Sequence, residues 1–502
     1  NLDAVASRGV RFTQFYYSAR CCPTRASLLT GSEPHVAGVG HMVGNRGLPG
    51  YQGYLRSDVV TIPEALRAGG YQTLMSGKWH VGGNYVPNNP EQWKAAGDGG
   101  HPTPRQRGFD RFYGILSGAG SYFRPPTLMR DDRFIEPNSP SYHFTDAVGE
   151  EAAQMIGQAD SQSPFFLYLA YTAPHWPLHA WEEDIARYEG SYRRGWDAVR
   201  TARHEELKGL GLLDDRWEIS PRDPDSHEWT DEPYPDWEDL RMATYAAQIE
   251  QMDRSIGLVL EAIRRRGDLD NTLVMFLADN GGCAEYLRED GEPTAWPGWY
   301  ATPTVDGRPV TVGNVPGMRP GGDQTFMSYD LPWANASNAP FRLYKHWVHE
   351  GGIATPLIVS WPEGLNTASA SICHAPHHVK DIMATCLDAA GVAYPGEYDG
   401  NEIMPTTGES FLPAAREADG RLGIWTREAP IFWEHEGNCA VREGAWKLVK
   451  KHPGDWELYN MDQDRTELHD LARGETSRVR RMVRMWDEWA RRSRVAAWPL
   501  PD

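Results

Sequence analysis

Cysteine is scarce in this chain: six among 502 residues, at Cys21, Cys22, Cys283, Cys373, Cys386 and Cys439, without the spacing of a disulfide-rich scaffold. No apolar run is long enough to span a bilayer, so no membrane partner is expected. Positive charge is the minority sign. Lys and Arg number 50 against 69 Asp and Glu, a net charge of −19 that argues against nucleic acid and anionic lipid as partners. An anionic ligand is then bound against the global field, and its site must be locally basic. No internal repeat is present. Initiator methionine and signal peptide are also absent, and Asn1-Leu2-Asp3-Ala4-Val5-Ala6 opens inside an amphipathic helix. What is present describes a globular protein: 40% hydrophobic residues, 20 Trp, and 50 Gly with 37 Pro for long irregular loops. The length suits two domains.

One stretch organises the rest: Ala19-Arg20-Cys21-Cys22-Pro23-Thr24-Arg25-Ala26-Ser27-Leu28-Leu29-Thr30-Gly31. Pro23 suits a first helical turn, where its missing N–H has no partner anyway, and Gly31 is a natural stop. Cys21 then sits at a helix N-terminus, where free N–H groups and the helix dipole favour an anion. Arg25, four residues on, points back to the same end. A nucleophile, an anion-binding helix end and a cation together read as a site for an anionic ester. From the cysteines alone, a buried pair or a strained vicinal disulfide beside a helix cap is the commoner outcome.

Along the chain, residues 10–17 alternate as a strand delivering the chain to Cys21. Residues 31–54 form a Gly-rich loop carrying His35 and His41. A short helix over 61–68 and a strand over 71–75, followed at once by Gly77-Lys78-Trp79-His80, suggest a βαβ unit. Residues 164–171 are apolar on both faces, as in a buried parallel strand, and lead into Pro174-His175-Trp176-Pro177, a stiff loop that aims an imidazole. The clearest helix covers 240–266, with Tyr245, Ile249, Met252, Ile256, Val259, Leu260 and Ile263 on one stripe. A buried strand over 272–277 ends in Asp279-Asn280, hard ligands suited to Ca²⁺ or Mg²⁺, although an Asn-Gly turn alone explains that dipeptide. Residues 283–338 lack periodicity, and a loop of that length is usually functional. A strand follows over 356–361. A helix over 376–390 takes up His377, His378 and Asp381, which with His374 mimic zinc-ligand spacing but read as structural. From about Leu422 the texture changes to short strands and a terminal helix over 475–492, giving domains 1–415 and 416–502. Glu434-His435-Glu436 lie within reach of a pocket from that small domain, with no role fixed.

Cys21-x-Pro23-x-Arg25 followed by Leu28-Leu29-Thr30-Gly31 resembles the signature of the type I sulfatases. The phrases around Lys78, His175, Asp279 and Lys345 resemble the same family in the same order, and are most similar to bacterial arylsulfatases, over about residues 2–471. The resemblance implies an α/β, alkaline-phosphatase-like fold, with a mixed, mostly parallel sheet flanked by helices and a small C-terminal α+β domain. It implies a sulfuric ester hydrolase in which a formylglycine-generating enzyme converts Cys21 to formylglycine, whose hydrate attacks the sulfate. By the same resemblance Arg25 holds the hydrate, Lys78 bridges nucleophile and sulfate, and His80 hydrogen-bonds the formylglycine hydroxyl and helps expel sulfate. His175 contacts the sulfate and the leaving oxygen, and Lys345 a sulfate oxygen. Asp279, Asn280 and modified Cys21 ligate Ca²⁺, or Mg²⁺. His179 has no matched role. The substrate is a small-molecule or carbohydrate sulfate ester whose leaving group is not legible. The rival readings are a phosphonate monoester or phosphodiester hydrolase of the same superfamily and an inactive sulfate-binding homologue. Sulfatases open with a buried strand ending in paired, metal-ligating aspartates, and here that strand is expected to be missing. Periplasmic or extracellular placement follows from the family, with a cytoplasmic one left open.

Overall fold

Strand pairing separates the large domain into two main sheets in the computed structural model, which describes residues 1–287, 301–365, 370–418 and 427–501. The first has five strands, ordered Arg133–Phe134, Leu128–Arg130, Arg111–Ile115, Gln72–Lys78 and Phe165–Ala170. Gln72–Lys78 is flanked by parallel neighbours on both sides, so its C-terminal end, carrying Lys78, opens at a sheet edge where ligand groups collect. The second sheet has four strands, ordered Ser371–Cys373, Val10–Phe12, Leu357–Ser360 and Val274–Leu277, with parallel and antiparallel pairs. Relatives reported below share this alkaline-phosphatase-like α/β architecture.

Several expectations shift. Residues 10–17 break into Val10–Phe12 and Phe15–Tyr16, because Phe15–Tyr16 changes partner to pair with His377–His378. The first piece lies in a different sheet from Gln72–Lys78, so no βαβ unit forms across the Ile62–Ala68 helix. That helix is closed at its start by a capping box between Thr61 and Glu64. The strands expected to be buried on both faces are half-buried instead: Phe165–Ala170 and Val274–Leu277 each end their sheet. They line a cavity of about 880 Å³. Helix 376–390 shortens to Asp381–Ala390, since His377-His378 is strand. The zinc-like spacing there is structural: Asp381 pairs with Arg427 and lies 3.3 Å from His377 Nδ1.

The long helix begins at Pro235, earlier than expected, because Pro at N1 with Asp236 and Glu238 in the first turn suits a helix start. Arg264, Arg265 and Arg266 complement its far end, and Gly267 closes it at φ 88°. Its buried face, Met252, Ile256, Val259 and Ile263, packs on Phe144–Gln158, each side chain contributing about 1.5–3 kcal/mol. Contact is close enough that a Cβ on Gly149 would fall 2.1 Å from Ser255 Oγ, so Gly149→Val would force the pair apart.

The small domain is an antiparallel meander, Ile431–His435, Asn438–Glu443, Trp446–Lys450 and Trp456–Asn460, covered by Thr476–Arg492. The texture change near Leu422 lies outside the described residues. Fully buried charges tie this domain to the large one: Lys447 Nζ is 2.8 Å from both Glu350 and Glu467, and Arg465 Nε donates to Glu350 at 3.1 Å. Among the described residues no helix is long and apolar enough to cross a membrane.

Candidate active site

Cys21 begins the Cys21–Thr30 helix, whose every residue is buried. Gly31 ends it at φ 65°, in the left-handed region that glycine adopts without strain. All six cysteines are free thiols, which removes the vicinal disulfide. The adjacent thiols differ in electrostatic environment. A hydrogen bond from Cys22 lowers Cys21 well below the ordinary thiol value, Lys78 and His80 add to this, and burial opposes it. Burial pushes Cys22 well above that value, and the charge on Cys21 adds to the shift.

His80 Nδ1 lies 3.4 Å from Cys21 Sγ. His80 adopts φ 57°, and a Cβ on Gly118 would meet its ring at 2.4 Å, so this glycine makes the space the imidazole fills. Burial lowers the His80 pKa to about 4, which keeps the ring neutral near pH 7. Lys78, at the end of its strand, is also buried, and desolvation lowers its pKa. Arg25 joins the parts: its Nη1 donates to Lys78 O at 2.7 Å and to Tyr168 Oη at 3.3 Å, and its Nη2 to Asp279 Oδ2 at 3.2 Å. Thr24 Oγ1 donates to Asp279 O at 2.7 Å, so one helical turn fixes the strand end that carries Asp279-Asn280.

The opposite wall comes from the His175 loop and from Lys345. Lys345 N donates to Gly282 O at 3.0 Å, which brings its side chain alongside. Lys345 Nζ lies 3.3 Å from His175 Nε2, 3.6 Å from Cys283 Sγ and 3.2 Å from Glu285 Oε1. Burial works against the ammonium, but Cys283 and Glu285 raise its pKa overall. Burial, with Lys345 and Lys78 adding to it, holds His175 well below 6.5. Its Nδ1 is 2.8 Å from Trp176 O, an acceptor only, so Nδ1 carries the proton and Nε2 accepts.

The structure thus brings Cys21, Arg25, Lys78 and His80 together with Asp279 on one side, and His175 with Lys345 on the other. Lys78 and Cys21 contribute to the electrostatics of His175, which links the two groups. Three participants are invisible in the sequence. Glu285 accepts from Arg20 Nη2 at 3.1 Å and from Trp176 Nε1 at 2.7 Å, and its pKa is strongly lowered by Lys345 and Arg20 although burial opposes this. Arg20 and Cys283 complete the set. Their positions beside Cys21 and after Asp279-Asn280 were the available signal, but Glu285 lies in an aperiodic stretch.

A divalent cation fits the remaining donors. Asn280 Oδ1 is buried and accepts no hydrogen bond among the described residues, while its Nδ2 donates to Gly281 O at 2.9 Å. A carboxylate and an otherwise orphaned amide oxygen form a hard-oxygen donor pair.

A Sulfatase family model matches residues 1–392, and an N-sulphoglucosamine sulphohydrolase C-terminal model matches residues 341–489. The chain belongs to the sulfatase family. An uncharacterized sulfatase of Schizosaccharomyces pombe is 30% identical over 97% of this chain and 88% of its own length. The arylsulfatase of Klebsiella aerogenes is 32% identical over 82% of this chain and 85% of its own. Among solved structures, Ps i-CgsB in complex with k-i-k-neocarrahexaose has a TM-score of 0.65 at 22% identity, covering 99% of this chain and 88% of that one. A second, in complex with its substrate D-glucosamine-2-N,6-O-disulfate, has a TM-score of 0.61 at 18% identity, covering 98% and 92%. This sulfatase is a sulfuric ester hydrolase, and its family generally uses formylglycine and a divalent metal.

Proposed function

We propose that Cys21 is the residue converted to formylglycine, and that Asp279, Asn280 and modified Cys21 hold Ca²⁺, with Mg²⁺ the alternative hard cation. What supports this is the geometry around position 21: Cys21 opens a buried helix with His80 Nδ1 at 3.4 Å, and Arg25, one turn on, is bonded to Asp279. Formylglycine supplies a hydroxyl nucleophile and the metal supplies Lewis acidity.

The other residues act on charge and protons. Lys78 and Lys345 neutralise sulfuryl oxygens in a pocket screened from water, where fixed charge is worth most. Arg25 orients Asp279 and ties it to the Lys78 backbone. Neutral His80 would accept a proton from the group at position 21, the loss that lets sulfate depart. The Lys345 ammonium donates to His175 Nε2, and this pair would supply the proton for the leaving oxygen, so the alcohol departs before sulfate. One water consumed over the cycle restores the group at position 21, and the overall products are alcohol and sulfate.

The substrate is a small-molecule or carbohydrate sulfate ester, and the maturation partner is a formylglycine-generating enzyme. The sugar complexes of the two structural neighbours support the carbohydrate class. After coexpression with such an enzyme, peptide mass spectrometry should find an aldehyde at Cys21 and an intact thiol at Cys22. Cys21→Ala should abolish aryl-sulfate turnover and Cys22→Ala retain most of it. An aldehyde at Cys22 instead would overturn the assignment.

A further inference from the structure

Three histidines and a glutamate from separate segments converge around the turn that follows the Ile431–His435 strand. His41 comes from the Gly-rich loop, His346 directly follows Lys345, and His435 ends the Ile431–His435 strand. Glu436 occupies the turn into Asn438–Glu443. Glu436 Oε1 lies 2.7 Å from His41 Nε2 and 3.6 Å from His435 Nε2, and Oε2 lies 2.7 Å from His346 Nδ1. Donor atoms of His346, His435 and Glu436 all fall within 4.8 Å of one another. The His41 ring stacks on His435 at 5.6 Å between centroids, and His346 stands edge-on to it at 5.7 Å.

Ion pairing alone accounts for part of this arrangement. It explains His41 and His346, each within hydrogen-bond distance of Glu436. It does not explain His435. That side chain is fully buried, yet neither ring nitrogen makes a hydrogen bond among the described residues. Buried imidazole nitrogens are ordinarily satisfied, and one left bare beside a carboxylate calls for a ligand.

The backbone is consistent with a site. Glu436 and Gly437 are the two central residues of a hairpin turn, at φ 50° and 77°. The first of these positions favours Asn, Asp or Gly, so a glutamate there is strained. His346 is likewise left-handed, at φ 96°.

We propose that His346, His435 and Glu436 bind a transition-metal dication of the zinc type, at a site separate from the hard-oxygen pair Asp279-Asn280, with His41 holding Glu436 from outside the donor set. Two imidazoles and one carboxylate, with solvent in the fourth position, are a zinc donor set, whereas calcium takes oxygen alone. Binding replaces the hydrogen bond between His346 and Glu436, and any proton shared there leaves to solvent. Because the ligands come from both domains, the ion pins the small-domain hairpin against the segment that carries Lys345.

The test is a Co²⁺ titration of the full chain as Cys21→Ser/Cys22→Ser, which removes the thiols clustered with His80, in saturating Ca²⁺ to fill the oxygen site. The visible absorption of four-coordinate Co²⁺ should saturate at a single equivalent and be displaced by Zn²⁺. His346→Ala and Glu436→Gln should each weaken Zn²⁺ binding by at least the roughly 10- to 100-fold that losing even an outer-shell partner costs. His346 is partly exposed, so its replacement leaves the core intact, and Zn²⁺ should raise the unfolding temperature of the parent but not of this variant. Absence of the tetrahedral Co²⁺ spectrum in the parent, or unchanged Zn²⁺ affinity in both variants, overturns the proposal.

Discussion

Lys345 keeps its charge against the cost of burial because Cys283 and Glu285 face it, whereas desolvation draws down the charge on Lys78. Two lysines of the same sequence character thus differ in electrostatic state, and both should matter to turnover. Lys78→Ala and Lys345→Ala should each lower kcat/KM for an aryl sulfate by about 100- to 1,000-fold, as when one preorganised donor is removed from a developing anion. Activity near that of the parent in either variant would place that lysine outside the pocket. Lys78 and Lys345 could be singled out from their flanking phrases, which resemble a family. Glu285 could not, since a carboxylate in an anion pocket looks wrong until Arg20 and Lys345 are seen to need a counter-charge.

At the scale of elements, the legible parts are those whose period is set by their own neighbours. The stripe from Tyr245 to Ile263 recurs every three to four residues, so the long helix is readable, and only its start moves, to Pro235. Residues 165–170 and 274–277 show what a period cannot tell. An apolar run states that a strand wants cover on both faces, not that the cover is there. Among the described residues each strand pairs on one side only, and both line the cavity of about 880 Å³. Such edges are templates for a further strand. His377-His378 read as helix in the sequence for a related reason: their strand exists only because Phe15–Tyr16, over 350 positions away in sequence, pairs with it.

For the molecule as a whole the net charge is −19, yet the site gathers four buried cations, Arg20, Arg25, Lys78 and Lys345. Composition announces that a local basic site is needed but not where. Depth also sets acid sensitivity. Burial lowers His143, His179 and His378 to about 3, against 6.5 for a histidine in water. Between those values the unfolded chain binds more protons, so stability is full above pH 6.5 and declines as pH falls toward 3. His179 Nε2 lies 2.7 Å from Thr325 O, and Nδ1 accepts from Tyr122 N–H at 3.3 Å, which fixes a neutral ring. Unfolding temperatures measured from pH 7 to pH 4 should fall, and less steeply for His179→Gln; an identical slope would clear this histidine of any part in it. Finally, the nucleophile's helix has no exposed residue, and Cys21 itself is 4% accessible. For the proposed conversion to formylglycine, this burial means that an oxidising enzyme would have to meet the thiol on an extended chain, before the helix closes over, so that maturation would compete with folding.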